Sequence, residues 1–202
     1  MKRLIKQSLL ISGILFFCMG LISPVEAREY SFKPAIGEVL SSSADPERVI
    51  VTEDGGLQAL SYSGKMLSGF PIYEPGKVFV SSPLIEDVTG DGNAEIIIVA
   101  RDAGNVYSLE AYNVTGVLIG SKVLSGVTVY YDPIFYKSGT QSNILIPVED
   151  GRLLQLEYSG TNFTSTQLFT VNKPFTVASN GTDLYITYPE VSGVDVYKKS
   201  WN

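Results

Sequence analysis

From residue 48 onward the apolar positions fall in short β-branched runs and in strict alternation with polar ones. Val49-Ile50-Val51-Thr52 and Ile96-Ile97-Ile98-Val99 are unbroken runs of the kind found in strands buried on both faces. Each run leads into a polar turn, usually containing glycine, and then into a segment that alternates apolar and polar residues. No apolar stripe with the 3.6-residue period of a helix survives beyond residue 27, so the pattern predicts an all-β fold.

The same unit recurs along the chain. Residues 48–64 (RVIVTEDGGLQALSYSG), 95–116 (EIIIVARDAGNVYSLEAYNVTG), 143–160 (NILIPVEDGRLLQLEYSG) and 183–198 (DLYITYPEVSGVDVYK) each read as strand, polar turn, strand. Aligning Leu57, Val106, Leu153 and Val194 gives spacings of 49, 47 and 41 residues. A period of that length with β-hairpins inside it marks propeller blades, whereas a β-sandwich would explain the strands but not the recurrence of one hairpin. The expected fold is a β-propeller of about four blades, a closed small ring or part of a propeller, over residues 28–76, 77–124, 125–170 and 171–202. The first strand of blade one is expected at 37–42, and the outermost strands of blades one to three at 65–73, 117–124 and 162–170. Blade four runs out after its third strand, near Tyr197, while residues 29–33 are spare. Pairing of 29–33 with 193–197 would close the ring and remove an exposed strand edge.

The first 27 residues stand apart from this pattern. Lys2, Arg3 and Lys6 precede an apolar stretch over residues 9–21, and Ser23-Pro24-Val25-Glu26-Ala27 ends on a small residue, which together read as a cleavable secretory signal. The apolar stretch is short and lacks a basic stop-transfer flank, so no membrane insertion is expected after cleavage. The expected location is secreted, periplasmic or cell-surface. Removal of residues 1–27 leaves twelve basic and twenty acidic residues, a net charge of −8, and takes away the single cysteine. An exported chain without disulfides must draw its stability from packing and from any bound metal. The remaining basic residues are scattered, which excludes a phosphate-binding stripe and with it nucleic acid as a partner. The chain has no histidine, so Ser-His-Asp, Cys-His and His-ligated zinc chemistry are excluded.

One segment carries specific chemistry. In DVTGDGNAE, Asp87, Thr89, Asp91 and Glu95 hold positions 1, 3, 5 and 9, Gly92 stands at position 6, and Asn93 at position 7 offers its main-chain carbonyl. Calcium takes six to eight oxygens, and this odd-numbered spacing lets a tight loop turn successive oxygens toward one centre. An EF-hand would need a bidentate Glu at position 12, where this chain has Ile98, so the loop joins two strands rather than two helices. The corresponding residues of the other repeats, 45–47, 137–142 and 179–182, do not present three acidic oxygens at alternate positions, and one calcium ion is expected.

Residues 81–116 resemble an FG-GAP or VCBS repeat of the integrin alpha N-terminal type, a propeller repeat in which a calcium loop bridges the first two strands of a blade. The resemblance implies Asp87, Thr89, Asp91, Asn93 and Glu95 as calcium ligands. Thr89 departs from the acidic or Asn residue usual at its position, which implies weaker binding. Residues 54–72, DGGLQALSYSGKMLSGFPI, resemble the blade ending of this group and of quinoprotein-like propellers.

The remaining features are less specific. Asn113, Asn162 and Asn180 begin glycosylation triplets. Tyr130-Tyr131, Phe135-Tyr136 and Phe175 suit wedge packing between blades better than a carbohydrate platform. Glu53-Asp54 and Glu149-Asp150 recur at one turn of different repeats, which points to turn chemistry rather than to paired catalytic acids. The reading that follows is a non-enzymatic, secreted, calcium-binding module that engages a protein or carbohydrate ligand by adhesion or binding. The alternatives are an envelope assembly scaffold and a fragment of a calcium-dependent polysaccharide lyase. Oligomeric state and ligand identity are left open by the sequence.

Overall fold

The computed structural model describes residues 32–40, 45–129, 131–138, 141–170, 175–179, 183–190 and 193–200. The proposed signal, residues 1–27, lies outside them. The described residues form fifteen strands in four antiparallel sheets. Blade one holds β1 (Ala35–Gly37), β2 (Glu47–Val51) and β3 (Leu57–Leu60). Blade two holds β4 (Lys77–Phe79), β5 (Leu84–Glu86), β6 (Glu95–Asp102), β7 (Tyr107–Tyr112) and β8 (Leu118–Leu124). Blade three is a regular meander of β9 (Ile134–Ser138), β10 (Gln141–Pro147), β11 (Arg152–Tyr158) and β12 (Phe163–Thr170). Blade four is β13 (Thr176–Ser179), β14 (Asp183–Glu190) and β15 (Gly193–Ser200).

Strands on the same edge of successive sheets pack beside one another, β1 on β5, β5 on β9 and β9 on β13, and the outer strands β8 and β12 also meet. This is the radial arrangement of a propeller. Among the described residues, no contact of comparable extent joins blade four back to blade one. Residues 29–31, most of the segment expected to close the ring, lie outside the described residues. Phe32 packs against the core shared by blades one and two, and the Lys33 amide donates to Ser82 Oγ at 3.0 Å, so the described part of that segment lies beside blade two.

Strand alternation explains the three cores. Along β6, Ile96 and Ile98 enter the cluster shared with Val49, Val51, Leu57 and Ala59 of blade one. Ile97 and Val99, pointing the other way, join Ile144, Ile146, Leu154 and Leu156 of blade three. Blade three repeats the device, with Leu145 and Leu153 turned toward Phe175, Leu184 and Ile186 of blade four. Phe175 and Tyr136 are buried in that third cluster, as expected of aromatics that fill the wedge between blades.

Two strand expectations need correction. Blade one pairs at Ala35–Gly37, before the expected 37–42, because the Val39 and Leu40 amides bond to the Glu47 carboxylate instead of to a neighbouring strand. Its outermost segment, 65–73, makes only the isolated bridges Leu60 to Met66 and Leu57 to Ile72. Gly69, at φ 88°, and Pro71, with no N–H to donate, interrupt the ladder between them.

Candidate functional site

The first edge of blade two is split. β5 pairs with the start of β6, from Leu84 opposite Ile97 to Glu86 opposite Glu95, and β4 pairs with its end. At the break, Ser81 Oγ accepts the Val99 amide at 3.0 Å, replacing a backbone carbonyl in the ladder. This anchors β5 and aims the loop 87–94 out of one end of the blade.

Within the loop the carboxylates fold back on the main chain. Asp87 accepts the Gly90 amide through Oδ1 at 2.6 Å and the Gly92 amide through Oδ2 at 3.0 Å. Asp91 Oδ1 accepts the Asn93 amide at 2.8 Å and its side-chain Nδ2 at 3.2 Å. Thr89 Oγ1 lies 3.4 Å from Asp87 Oδ1. Gly92 turns the chain at φ 88°, a conformation that glycine adopts without strain. Thr89 and Asp91 are exposed, and Asp87 and Asn93 are half-buried.

Glu95 sits elsewhere. Its side chain is buried, and Oε2 accepts the Val88 amide at 3.0 Å and the Thr89 amide at 3.2 Å. Burial raises its carboxyl above the ordinary glutamate range, the two amides oppose that shift, and the nearby Asp91 and Asp87 charges add to it. Among the described residues, no three of His, Cys, Asp and Glu come together as a metal-holding group. The structure therefore brings Asp87, Thr89, Asp91 and Asn93 into one turn and places Glu95 beneath it.

The oxygen set fits a hard cation in kind. Side-chain oxygens 3.4 Å apart, as on Asp87 and Thr89, match adjacent ligands of one ion bound at roughly 2.4 Å. A third blade reaches the loop as well, since Ser142 Oγ donates to the Asp87 main-chain oxygen at 3.3 Å. Glu86, at the loop's root, is raised by burial and partly relieved by the charge of Lys137. Local spacing could not announce Ser142 and Lys137, which come from another repeat.

A second polar cluster lies at the junction of blades one and two. Ser108, Glu110 and Tyr112 alternate along β7 and so share a face. Glu110 is fully buried and accepts Ser108 Oγ at 2.9 Å, Tyr112 Oη at 2.7 Å and the Lys77 ammonium. Tyr112 Oη also lies 2.9 Å from Glu74 Oε1. Burial, reinforced by these carboxylates, pushes the Tyr112 phenol far up, and the hydrogen bond to Glu110 raises Lys77. The sequence reading missed this cluster, although the alternation of polar residues in a buried strand is its signal.

The other acidic pairs are turn residues. Asp54 bonds Thr52 Oγ1 and the Tyr73 hydroxyl, and Asp150 pairs with Arg152. A groove between β8 and β12 is lined in part by Lys122, Arg152, Ser165 and Gln167, and among the described residues its lining includes no carboxylate.

No family model matches the chain, and no curated protein matches it. Among solved structures it is similar to the WD40 domain of SCAP from fission yeast, with 13% identity and a TM-score of 0.54 over 83% of this chain. It is also similar to a protein of unknown function from Bacteroides caccae, with 12% identity and a TM-score of 0.45 over 76% of this chain. The chain spans 39% and 57% of the lengths of those two structures. The first likeness shows the fold: the chain is an all-β, propeller-like protein with repeat character.

Proposed function

We propose that this chain is an exported propeller module that binds a protein or carbohydrate ligand and carries one calcium ion on the loop 87–93. Asp87, Thr89, Asp91 and the Asn93 carbonyl are the ligands. The observation that carries this reading is the turn itself, in which two carboxylates and a hydroxyl stand at alternate positions and each is hydrogen-bonded within the turn. The resemblance of residues 81–116 to FG-GAP repeats supports it, and the signal-like pattern of residues 1–27 supports export. The ion's role is structural, bracing the end of blade two, and the chain performs no catalysis.

A scaffold role has one observation in its favour. Leu118 and Val123 on the outer strand of blade two, and Val117 just before it, are exposed, and such an edge suits addition of a partner's strand. A glycan array and a pull-down from the native surface separate carbohydrate from protein ligands.

Calcium titration by calorimetry and melting with and without chelator test the site. With only two carboxylates in the turn, the expected Kd is about 10⁻⁴ to 10⁻³ M. Calcium at a hundredfold excess over Kd should stabilise the fold by about 2.7 kcal/mol, an increment that Asp91→Ala removes. Absence of both heat and thermal shift in the wild type would refute the reading.

A further inference from the structure

Two glutamates in different blades make the same contacts. Glu47 begins β2 opposite Gly37, and Glu95 begins β6 opposite Glu86, the last residue of β5. Glu47 Oε2 accepts the amides of Val39 at 2.9 Å and Leu40 at 3.2 Å. Glu95 Oε2 accepts the amides of Val88 at 3.0 Å and Thr89 at 3.2 Å. The side chains are 1% and 2% exposed, and the valine at the first bonded amide is buried in each case. Blade one thus builds this arrangement without the DVTGDGNAE motif.

Blade three supplies the contrast. There Tyr136 faces Asn143 at the matching register, but pairing continues to Ser138 and Gln141, so the strands run on into a short hairpin. Where the connection is short an asparagine replaces the glutamate, and its Oδ1 accepts Gln155 Nε2 at 2.7 Å. The glutamate accompanies a long connection whose amides leave the strand ladder, and the buried valine amide in each, Val39 and Val88, needs an acceptor.

We propose that Glu95 is a positioning residue and not a calcium ligand: it clamps the entry of the loop 87–94 by accepting two amides, as Glu47 clamps blade one. The ion is left to Asp87, Thr89, Asp91 and Asn93. The calcium part of this inference rests on the function proposed above, and the clamp part does not.

The test uses the full chain carrying Glu95→Gln, Glu95→Ala, Glu47→Gln, Glu47→Ala or Asp91→Ala, with calcium titration and melting in chelator as readouts. A glutamine oxygen accepts both amides without the charge, so Glu95→Gln should bind calcium as the wild type does and melt with it in chelator. Glu95→Ala should weaken calcium binding by about tenfold or more, the effect of losing a support behind the ligands, and should lower the melting temperature. Glu47→Ala should lower melting while sparing calcium affinity, and Glu47→Gln should restore it. If Glu95→Gln melts normally in chelator but loses calcium as Asp91→Ala does, Glu95 is a ligand and the inference is overturned. If the glutamine variants melt as low as the alanine variants, the clamp is overturned too. A wild type that takes up no calcium removes the metal reading, and glutamine against alanine in chelator still decides the clamp. Should Glu95→Ala not fold, Glu95→Gln against wild type carries the same decision.

Discussion

Blades one and two start from similar apolar runs and end in different environments. In blade two, all four residues Ile96 to Val99 are fully buried, because blade one covers one face of β6 and blade three covers the other. In blade one, Val49 and Val51 are buried against blade two. Ile36, Arg48 and Leu60, one cross-strand row on the opposite face, are not, and Ile36 is 67% exposed. The difference teaches that a propeller strand becomes two-sided only through its neighbours. A β-branched run makes a strand able to be buried on both faces, but the number of sheets stacked around it decides whether it is.

The largest test of this contrast is a pair of truncations. Ile97→Ala should cost about 4 kcal/mol in urea unfolding, through lost burial and the cavity left behind. Ile36→Ala should stay within about 0.5 kcal/mol. Equal costs would mean that the outward face of blade one is covered in solution, and the contrast would fail.

The junction between the blades gives the next effect. Lys77→Met leaves the buried Glu110 carboxylate without its cation and should cost about 3 kcal/mol. Adding Glu110→Gln to Lys77→Met should recover most of that loss. Because Lys77 is raised in the folded state, its contribution is complete below the ordinary lysine range. It is lost as pH climbs through the raised value. The wild type should therefore approach Lys77→Met in stability only at strongly alkaline pH.

Two glycines sharpen the comparison further. A Cβ on Gly69 would lie 1.8 Å from the Thr115 carbonyl oxygen of blade two, whereas one on Gly64 meets nothing within 4 Å. Gly69→Ala should cost about 2 kcal/mol or more through overpacking, and Gly64→Ala about 1 kcal/mol from its turn conformation alone. Equal melting temperatures would show that the end of blade one does not seat against blade two.

The hairpins and their period were legible because each depends on neighbours in sequence. The alternation in 152–158 and the turn at Asp150-Gly151 need no distant partner to be read. The site was legible in half. Asp87, Thr89 and Asp91 share a turn through their own spacing, and the hydrogen bonds inside that turn are local. Glu95 follows at an odd-numbered position too, yet the strand register sends it inward, to the Val88 and Thr89 amides just beyond the preceding strand. Spacing cannot show register, since a side chain's face depends on which residue it is paired with.

The sequence alone determined the all-β class, the four repeated hairpins, the pairing partners within them and the turn at 87–93. All are set by alternation, turn residues and short-range hydrogen bonding. The tertiary structure decided which face of each strand is covered, that Ser142 of blade three reaches the Asp87 carbonyl, and that Glu110 meets Lys77 inside the junction of two blades. It also decided that Glu47 and Glu95 are equivalent. These outcomes depend on residues tens of positions apart being brought together by sheet stacking, and burial, which gives such contacts their energetic weight, exists only once the sheets are stacked.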